Sequence, residues 1–315
     1  MLAMLALVLL WRGAAPPPLA ARAEMSLAFG QLSPSAGIAE TTSATQSAWQ
    51  EPNPERADAG RQPPLTAALP VPPGNAMPLS GQRLREPKAE GRRPLLALVI
   101  DDLGLNHGAT QRAIALQGPL TLAFLPYGRE LSALAEEARQ AGHELLVHMP
   151  MEPDDPTRDP GPLALRSGLT DDELQARLAW NLSRFEGFVG INNHMGSRFT
   201  RSRAGMTQVM RALNARRLLF LDSVTTGDTV GFELARQHGV AVAVRDIFLD
   251  NDRERGEILR KLEAALRLAL KHGQAVAIGH PYPETLDVLE PWLREVEARG
   301  VALAPVSALA RPPGD

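Results

Sequence analysis

The chain contains no cysteine among its 315 residues. That excludes disulfides, thiolate metal sites and cysteine nucleophiles, so any metal must be held by histidine and carboxylate side chains. Aromatic residues make up only 4%, which argues against the stacking platform that single-stranded nucleic acid uses. Charge of one sign is also lacking. A net charge of -3 gives no electrostatic case for nucleic acid or for an anionic membrane surface. No glycine-rich phosphate loop and no G-x-S-x-G elbow is present. The apolar stretch Met1 to Trp11 is far short of the roughly 20 residues of a spanning helix and has the length of a signal-peptide h-region. Ala21-Arg22-Ala23 supplies an A-x-A cleavage site, although no Lys or Arg precedes Arg12. Residues 1–23 are therefore expected to be a signal peptide or a short N-terminal anchor, and the protein to be exported to the periplasm or cell envelope.

Proline is abundant instead, at 27 residues, and many lie before residue 95. Residues 24–92 are rich in Pro, Ala, Ser, Gln and Gly without sustained periodicity. Such a stretch buries too little apolar area to offset its chain entropy, so it reads as a disordered linker. From residue 93 to 311 strand-like apolar runs alternate with amphipathic helical runs. The expected strands are Leu95–Asp101, Leu120–Leu125, His143–His148, Val189–Asn193, Leu218–Asp222, Val240–Val244, Ala275–Ile278 and Val301–Ala304. The clearest helices run from Thr170 to Phe185, from Arg253 to His272 and from Pro283 to Arg299, with capping-box spacing at Thr170 and Glu173 and glycine stops at Gly273 and Gly300. This alternation predicts an α/β fold with a mostly parallel sheet, and the strand count suits a barrel or distorted barrel better than an open sheet.

Polar residues cluster at the carboxyl ends of these strands. They are Asp101-Asp102, His148 followed by Glu152, the run Asn192 to Arg198, Asp222-Ser223, Arg245-Asp246 and Gly279-His280. That edge is where parallel α/β folds bind ligands. Without cysteine, such a His/Asp set suits Zn2+ or another divalent transition ion. Asp102, His148 and His194 would supply a two-histidine, one-carboxylate site that leaves a position for water. Asp101 is then the natural general base and His280 the natural general acid, with Arg198, Asp222 or Asp246 available to orient them. The remaining histidines, His107, His143, His238 and His272, read as surface or structural residues. Arg216-Arg217 reads as a solvated helix end, and Trp180 and Trp292 as core packing.

The block from Pro94 to Leu309 resembles the polysaccharide deacetylase (NodB-like) superfamily, and more closely its divergent polysaccharide deacetylase branch. Asp101-Asp102 match the Asp-Asp motif, in which the first Asp is base and the second binds metal. Gly142-His143-Glu144-Leu145 leading to His148 matches the strand and first His of an H-x-x-x-H metal motif. Gly190 to Phe199 resembles the signature of the divergent branch, Leu221-Asp222-Ser223 an Asp-Ser motif, and Ile278-Gly279-His280 the late motif that supplies the acid. Two departures stand out. Glu152 replaces the second His, so either Glu152 is a ligand or His194 takes its place from the next strand, the option preferred here because imidazole is the commoner ligand. Arg198-Phe199-Thr200 lacks the Pro of an Arg-x-Pro motif. The resemblance implies a NodB-like distorted (β/α) barrel and metal-dependent hydrolysis of N-acetyl or related acyl groups on a carbohydrate. The alternative is a non-catalytic carbohydrate- or protein-binding member acting in envelope assembly. The Pro/Asp-rich loop Met151–Ser167 is long enough to be a groove wall, where choice of glycan and of N- or O-acyl group would lie.

Overall fold

The computed structural model describes residues 93–311. The expected signal peptide or anchor and the Pro-rich linker lie outside these residues. The strands are β1 (Leu95–Leu103), β2 (Thr121–Phe124), β3 (Glu144–Met151), β4 (Gly190–Met195), β5 (Leu219–Asp222), β6 (Val242–Val244), β7 (Ile247–Phe248), β8 (Gln274–Gly279) and β9 (Ala302–Leu303). The helices are α1 (His107–Ile114), α2 (Leu131–Gln140), α3 (Asp171–Leu182), α4 (Arg203–Arg216), α5 (Gly231–Gln237), α6 (Arg255–His272) and α7 (Pro283–Glu295). The strands form one nine-stranded sheet in the order β6-β5-β4-β3-β2-β1-β8-β7, with β9 paired to β1. Every named pairing is parallel. The sheet curls into a distorted (β/α) barrel, the fold class anticipated above.

Local chemistry explains the element ends. Thr170 and Glu173 form the reciprocal capping box that starts α3. Gly273 ends α6 at φ 83°, a left-handed cap that glycine adopts without steric cost. Pro283 opens α7 in the first turn, where its missing N–H costs nothing. His143 is buried and bridges Leu120 N to Ile114 O, a structural role as expected. Trp292 packs in the core with its Nε1 donating to Glu263. Trp180 is only half-buried, with the Arg184 guanidinium 4.8 Å over its ring, so it is not the core residue expected.

Strand alternation divides the core into two faces. Leu96, Leu98 and Ile100 of β1 pack with Leu145, Val147, Phe220, Ala275 and Ala277 against the helices. Ala97 and Val99 instead join Ala123, Leu146, Leu221, Ala243, Val276 and Ile278 in a second cluster that contains no residue of α1–α7. This second cluster is the barrel interior. Val306 and Leu309, after β9, plug its amino-terminal end, where Val306 N donates to Thr121 Oγ1. The carboxyl-terminal end is left to polar side chains.

The barrel has a seam. β6 and β7 are the two ends of the strand order, yet only two residues separate them in the chain. Arg245 N donates to Asp222 O of β5, and Asp246 N donates to Val276 O of β8. Consecutive residues thus carry the chain from one edge of the sheet to the other. β7 was not among the expected strands, because a two-residue strand has no period to detect.

Candidate metal centre

Interior alternation brings the candidate residues together. Along β1 the interior row Ala97, Val99 continues to Asp101. Along β3 it runs from Leu146 to His148, and along β8 from Val276 and Ile278 to His280. On β4, Ile191 packs with the helix-facing core, so Asn192 and His194 face inward. Asp102 has the opposite parity and should face the helices. It does not, because its backbone is left-handed at φ 58° and the β1–β2 register is irregular between Ile100 and Leu103. A non-glycine residue in that region is uncommon, and here the twist returns Asp102 to the interior.

Asp102 Oδ1 lies 2.9 Å from His194 Nδ1 and 3.2 Å from His148 Nε2. Those two nitrogens are 3.1 Å apart. Asp102, His148 and His194 are the group of potential metal ligands found among the described residues. Asp102 Oδ1 is buried without a hydrogen-bond partner of acceptable geometry. An orphaned carboxylate oxygen converging with two imidazole nitrogens fits a divalent ion of the zinc type. Burial works against ionised Asp102, but the two neighbouring rings outweigh it and hold its carboxyl well below the usual range. Burial also works against protonated His148, yet Asp101 and Asp102 raise its affinity for protons, so metal and proton compete for this ring.

Asp101 Oδ2 lies 3.7 Å from His148 Nε2, and its Oδ1 accepts from Asn192 Nδ2 at 2.8 Å. Burial raises the Asp101 carboxyl above its usual range, reinforced by the charge of Asp102 and opposed by His148, His280 and Asn192. His280 Nε2 lies 3.9 Å from Asp102 Oδ2. The other side of this ring is held by Asp250: Nδ1 is 2.9 Å from Oδ1, and the His280 backbone N–H donates to Oδ2 at 2.6 Å. Thr285 Oγ1 also donates to that Oδ2. Burial disfavours the imidazolium, but the Asp250 bond and the charges of Asp102, Asp250 and Asp101 raise His280 to about 9.

Four expectations need correction. Glu152, the alternative ligand, stands outside the metal group. Its Oε2 accepts from Ser167 N at 2.8 Å and Oγ at 2.6 Å, because the chain has left β3 and the returning limb of the loop captures the carboxylate. Arg198 does not orient Asp101. Gly196, at φ 84°, turns the chain out of β4, and the Arg198 guanidinium, 57% exposed, faces Glu152 at 3.7 Å. Asp222 shares the parity of Phe220 and points toward α5. There it accepts from Val224 N and Thr229 Oγ1 and organises the turn after β5. Asp246 accepts from Val276 N at the seam. The side chains that hydrogen-bond Asp101 and the His280 ring are Asn192 and Asp250. Asn192 was visible as a strand-end polar residue, and its parity with respect to Ile191 assigns it inward. Asp250 follows the undetected β7 and carried no such signal.

Residues 98–310 match the family described as divergent polysaccharide deacetylase. The uncharacterized protein YibQ of Escherichia coli is 37% identical over 198 residues, covering 62% of this chain and 61% of that protein. An uncharacterized protein of Haemophilus influenzae is 37% identical over 202 residues, 64% of this chain and 71% of its own length. The crystal structure of an uncharacterized Agrobacterium tumefaciens protein superposes with a TM-score of 0.67 at 32% identity, covering 71% of this chain and 92% of that one. With the family match extending over more than half of the chain and including Asp101, Asp102, His148, His194 and His280, this protein belongs to the divergent polysaccharide deacetylase family.

Proposed function

We propose that this protein removes an N-acetyl or related acyl group from an envelope carbohydrate by hydrolysis, using a divalent metal, with Zn2+ as first choice, held by Asp102, His148 and His194. One observation carries the reading. Asp101 and the Asp250-backed His280 both reach the same two-histidine, one-carboxylate group, at 3.7 and 3.9 Å. A bound divalent ion would supply Lewis acidity, lowering the pKa of water and polarising the acyl carbonyl. Asp101, with its raised proton affinity, accepts the proton that the attacking water releases as its oxygen bonds to the acyl carbon. His280, protonated below about 9, gives its Nε2 proton to the leaving nitrogen as the C–N bond breaks. Acetate and a free amine result, and exchange with solvent restores both side chains. Asn192 and Asp250 hold the base and acid while they work.

Metal analysis of the purified protein, followed by acetate release from a panel of N- and O-acetylated glycans, tests the reading. Metal binding with acetate release from at least one glycan is the expected result. Metal-replete protein that releases acetate from none would move the function to carbohydrate or protein binding in the same pocket. Export is part of the proposal and rests on the apolar Met1–Trp11 stretch. Fractionation of cells expressing the full chain checks it.

A further inference from the structure

We infer that Asn192 is a positioning residue whose single amide sets both the ligating tautomer of His148 and the orientation of Asp101. Asn192 and His148 are direct register partners on the parallel pair β3–β4, so the backbone ladder fixes their separation. Asn192 is fully buried. Its Nδ2 lies 2.8 Å from Asp101 Oδ1 and 3.3 Å from Ser223 Oγ, and its Oδ1 lies 2.9 Å from His148 Nδ1. Both ends of the amide are therefore engaged.

The directions follow from chemistry. A carboxylate only accepts hydrogen bonds, so the NH2 end of the amide must face Asp101. A flipped amide would set its oxygen against a carboxylate oxygen and face its NH2 toward the ring. With Nδ2 committed to Asp101 and Ser223, Oδ1 is left for His148, and an acceptor there requires the hydrogen on Nδ1. Neutral imidazole carries one N–H, so the lone pair is on Nε2. Nε2 is the atom that faces Asp102 Oδ1 at 3.2 Å and His194 Nδ1 at 3.1 Å. One side chain thus holds the base with its donor end and prepares a metal ligand with its acceptor end. Arg198, which faces Glu152, has no part in this, and a neutral amide holds Asp101 without placing a cation beside it.

The test uses the full-length chain with zinc as the probe. In the zinc-loaded protein, 15N NMR of the His148 ring is expected to show the hydrogen on Nδ1 and ligation through Nε2. Ligation through Nδ1 would overturn the inference, and this measurement needs no variant. Asn192→Leu is expected to weaken zinc binding roughly 10–100-fold, the usual consequence of losing an outer partner of a ligating histidine. It is also expected to lower kcat with little change in KM, since Asn192 contacts no substrate in this scheme. A folded Asn192→Leu protein with wild-type zinc affinity and wild-type kcat would overturn it. The activity arm rests on the proposed hydrolysis, whereas the ring and affinity arms do not. A wild type that binds zinc with the expected tautomer but releases no acetate would sink the function and support this assignment. If the wild type binds no zinc, the metal-free ring at alkaline pH is still expected to carry its hydrogen on Nδ1, and a hydrogen on Nε2 would overturn the inference.

Discussion

The half of the site that holds the proposed metal ligands stands on central strands, whereas the half that holds the proposed acid stands at the seam where the barrel fails to close. Asp102, His148 and His194 come from β1, β3 and β4; β1 has ladders to β2, β8 and β9, while β3 is paired on both sides by β2 and β4. His280 follows β8 directly, and its partner Asp250 follows the two-residue β7 at the sheet edge. The acid half is braced by side chains instead of ladders. The Tyr282 ring lies 5.5 Å from the His280 ring, Arg253 stacks over Tyr282 at 4.4 Å, and Glu284 holds Arg253 at 2.9 Å. The difference fits the proposed roles. Three metal ligands must converge on one point within a few tenths of an ångström, which continuous hydrogen-bonded strands provide. A proton donor needs a suitable proton affinity and a reach of one hydrogen bond, and one buried carboxylate beside an imidazole provides both.

The comparison breaks most sharply at the two adjacent aspartates. Asp102→Ala is expected to abolish metal binding and activity together, read by metal analysis and acetate release. Asp101→Asn should retain the metal and the fold while kcat falls roughly 10²–10⁴-fold, the usual worth of a general base. An Asp101→Asn protein as active as the wild type would remove the base from the scheme.

The acid half should respond in its pH profile. The wild type is expected to lose activity on the alkaline side as His280, whose proton affinity Asp250 raises, gives up its proton. Asp250→Asn removes the strongest influence that raises His280, so the basic limb should move to lower pH. The metal should stay bound, and the rate loss at neutral pH should be smaller than the roughly 10²–10⁴-fold cost of losing the acid altogether. Folding stability of the metal-free chain should follow the same group. A raised histidine stabilises in full below its ordinary value of 6.5 and loses that contribution as pH rises toward about 9. The wild-type Tm should therefore decline across that window, and less so in Asp250→Asn.

The smallest effect concerns the turn between the halves. Val224 is β-branched and left-handed at φ 49°, and its carbonyl accepts from Arg245 at the seam. Val224→Gly should stabilise by at most about 1.5 kcal/mol, the ~1–2 kcal/mol of strain released less ~0.5–1 kcal/mol of added chain entropy. Denaturant melts check this. A destabilised variant would mean that the valine side chain contributes more by packing than its backbone costs.

Much of this was legible beforehand. The strand-end positions of Asp101, His148, His194 and His280 followed from apolar runs and the rule that ligands meet at carboxyl ends. Asp222 was legible too, and misassigned. Counting in twos from Leu219 and Leu221, which face the interior, puts Phe220 and Asp222 on the helix side. The same counting along β1 would turn Asp102 toward the helices, and nothing local in the sequence announces the left-handed backbone that returns it to its expected place beside His148 and His194.

What the sequence by itself determined is whatever depends on neighbours along the chain: the absence of thiol chemistry, the alternation that turns every second side chain inward, the caps that start and stop helices. Those are set by composition and by periods of 2 and 3.6 residues. The tertiary structure alone decided which residues separated in sequence become partners. It set the register that puts Asn192 beside His148, the twist at Asp102 that completes the ligand group, and the seam that brings Asp250 under His280. The physical reason is that a hydrogen bond between residues 30 or 91 positions apart depends on sheet register and closure, which are properties of the packed whole and leave no mark in any single window of sequence.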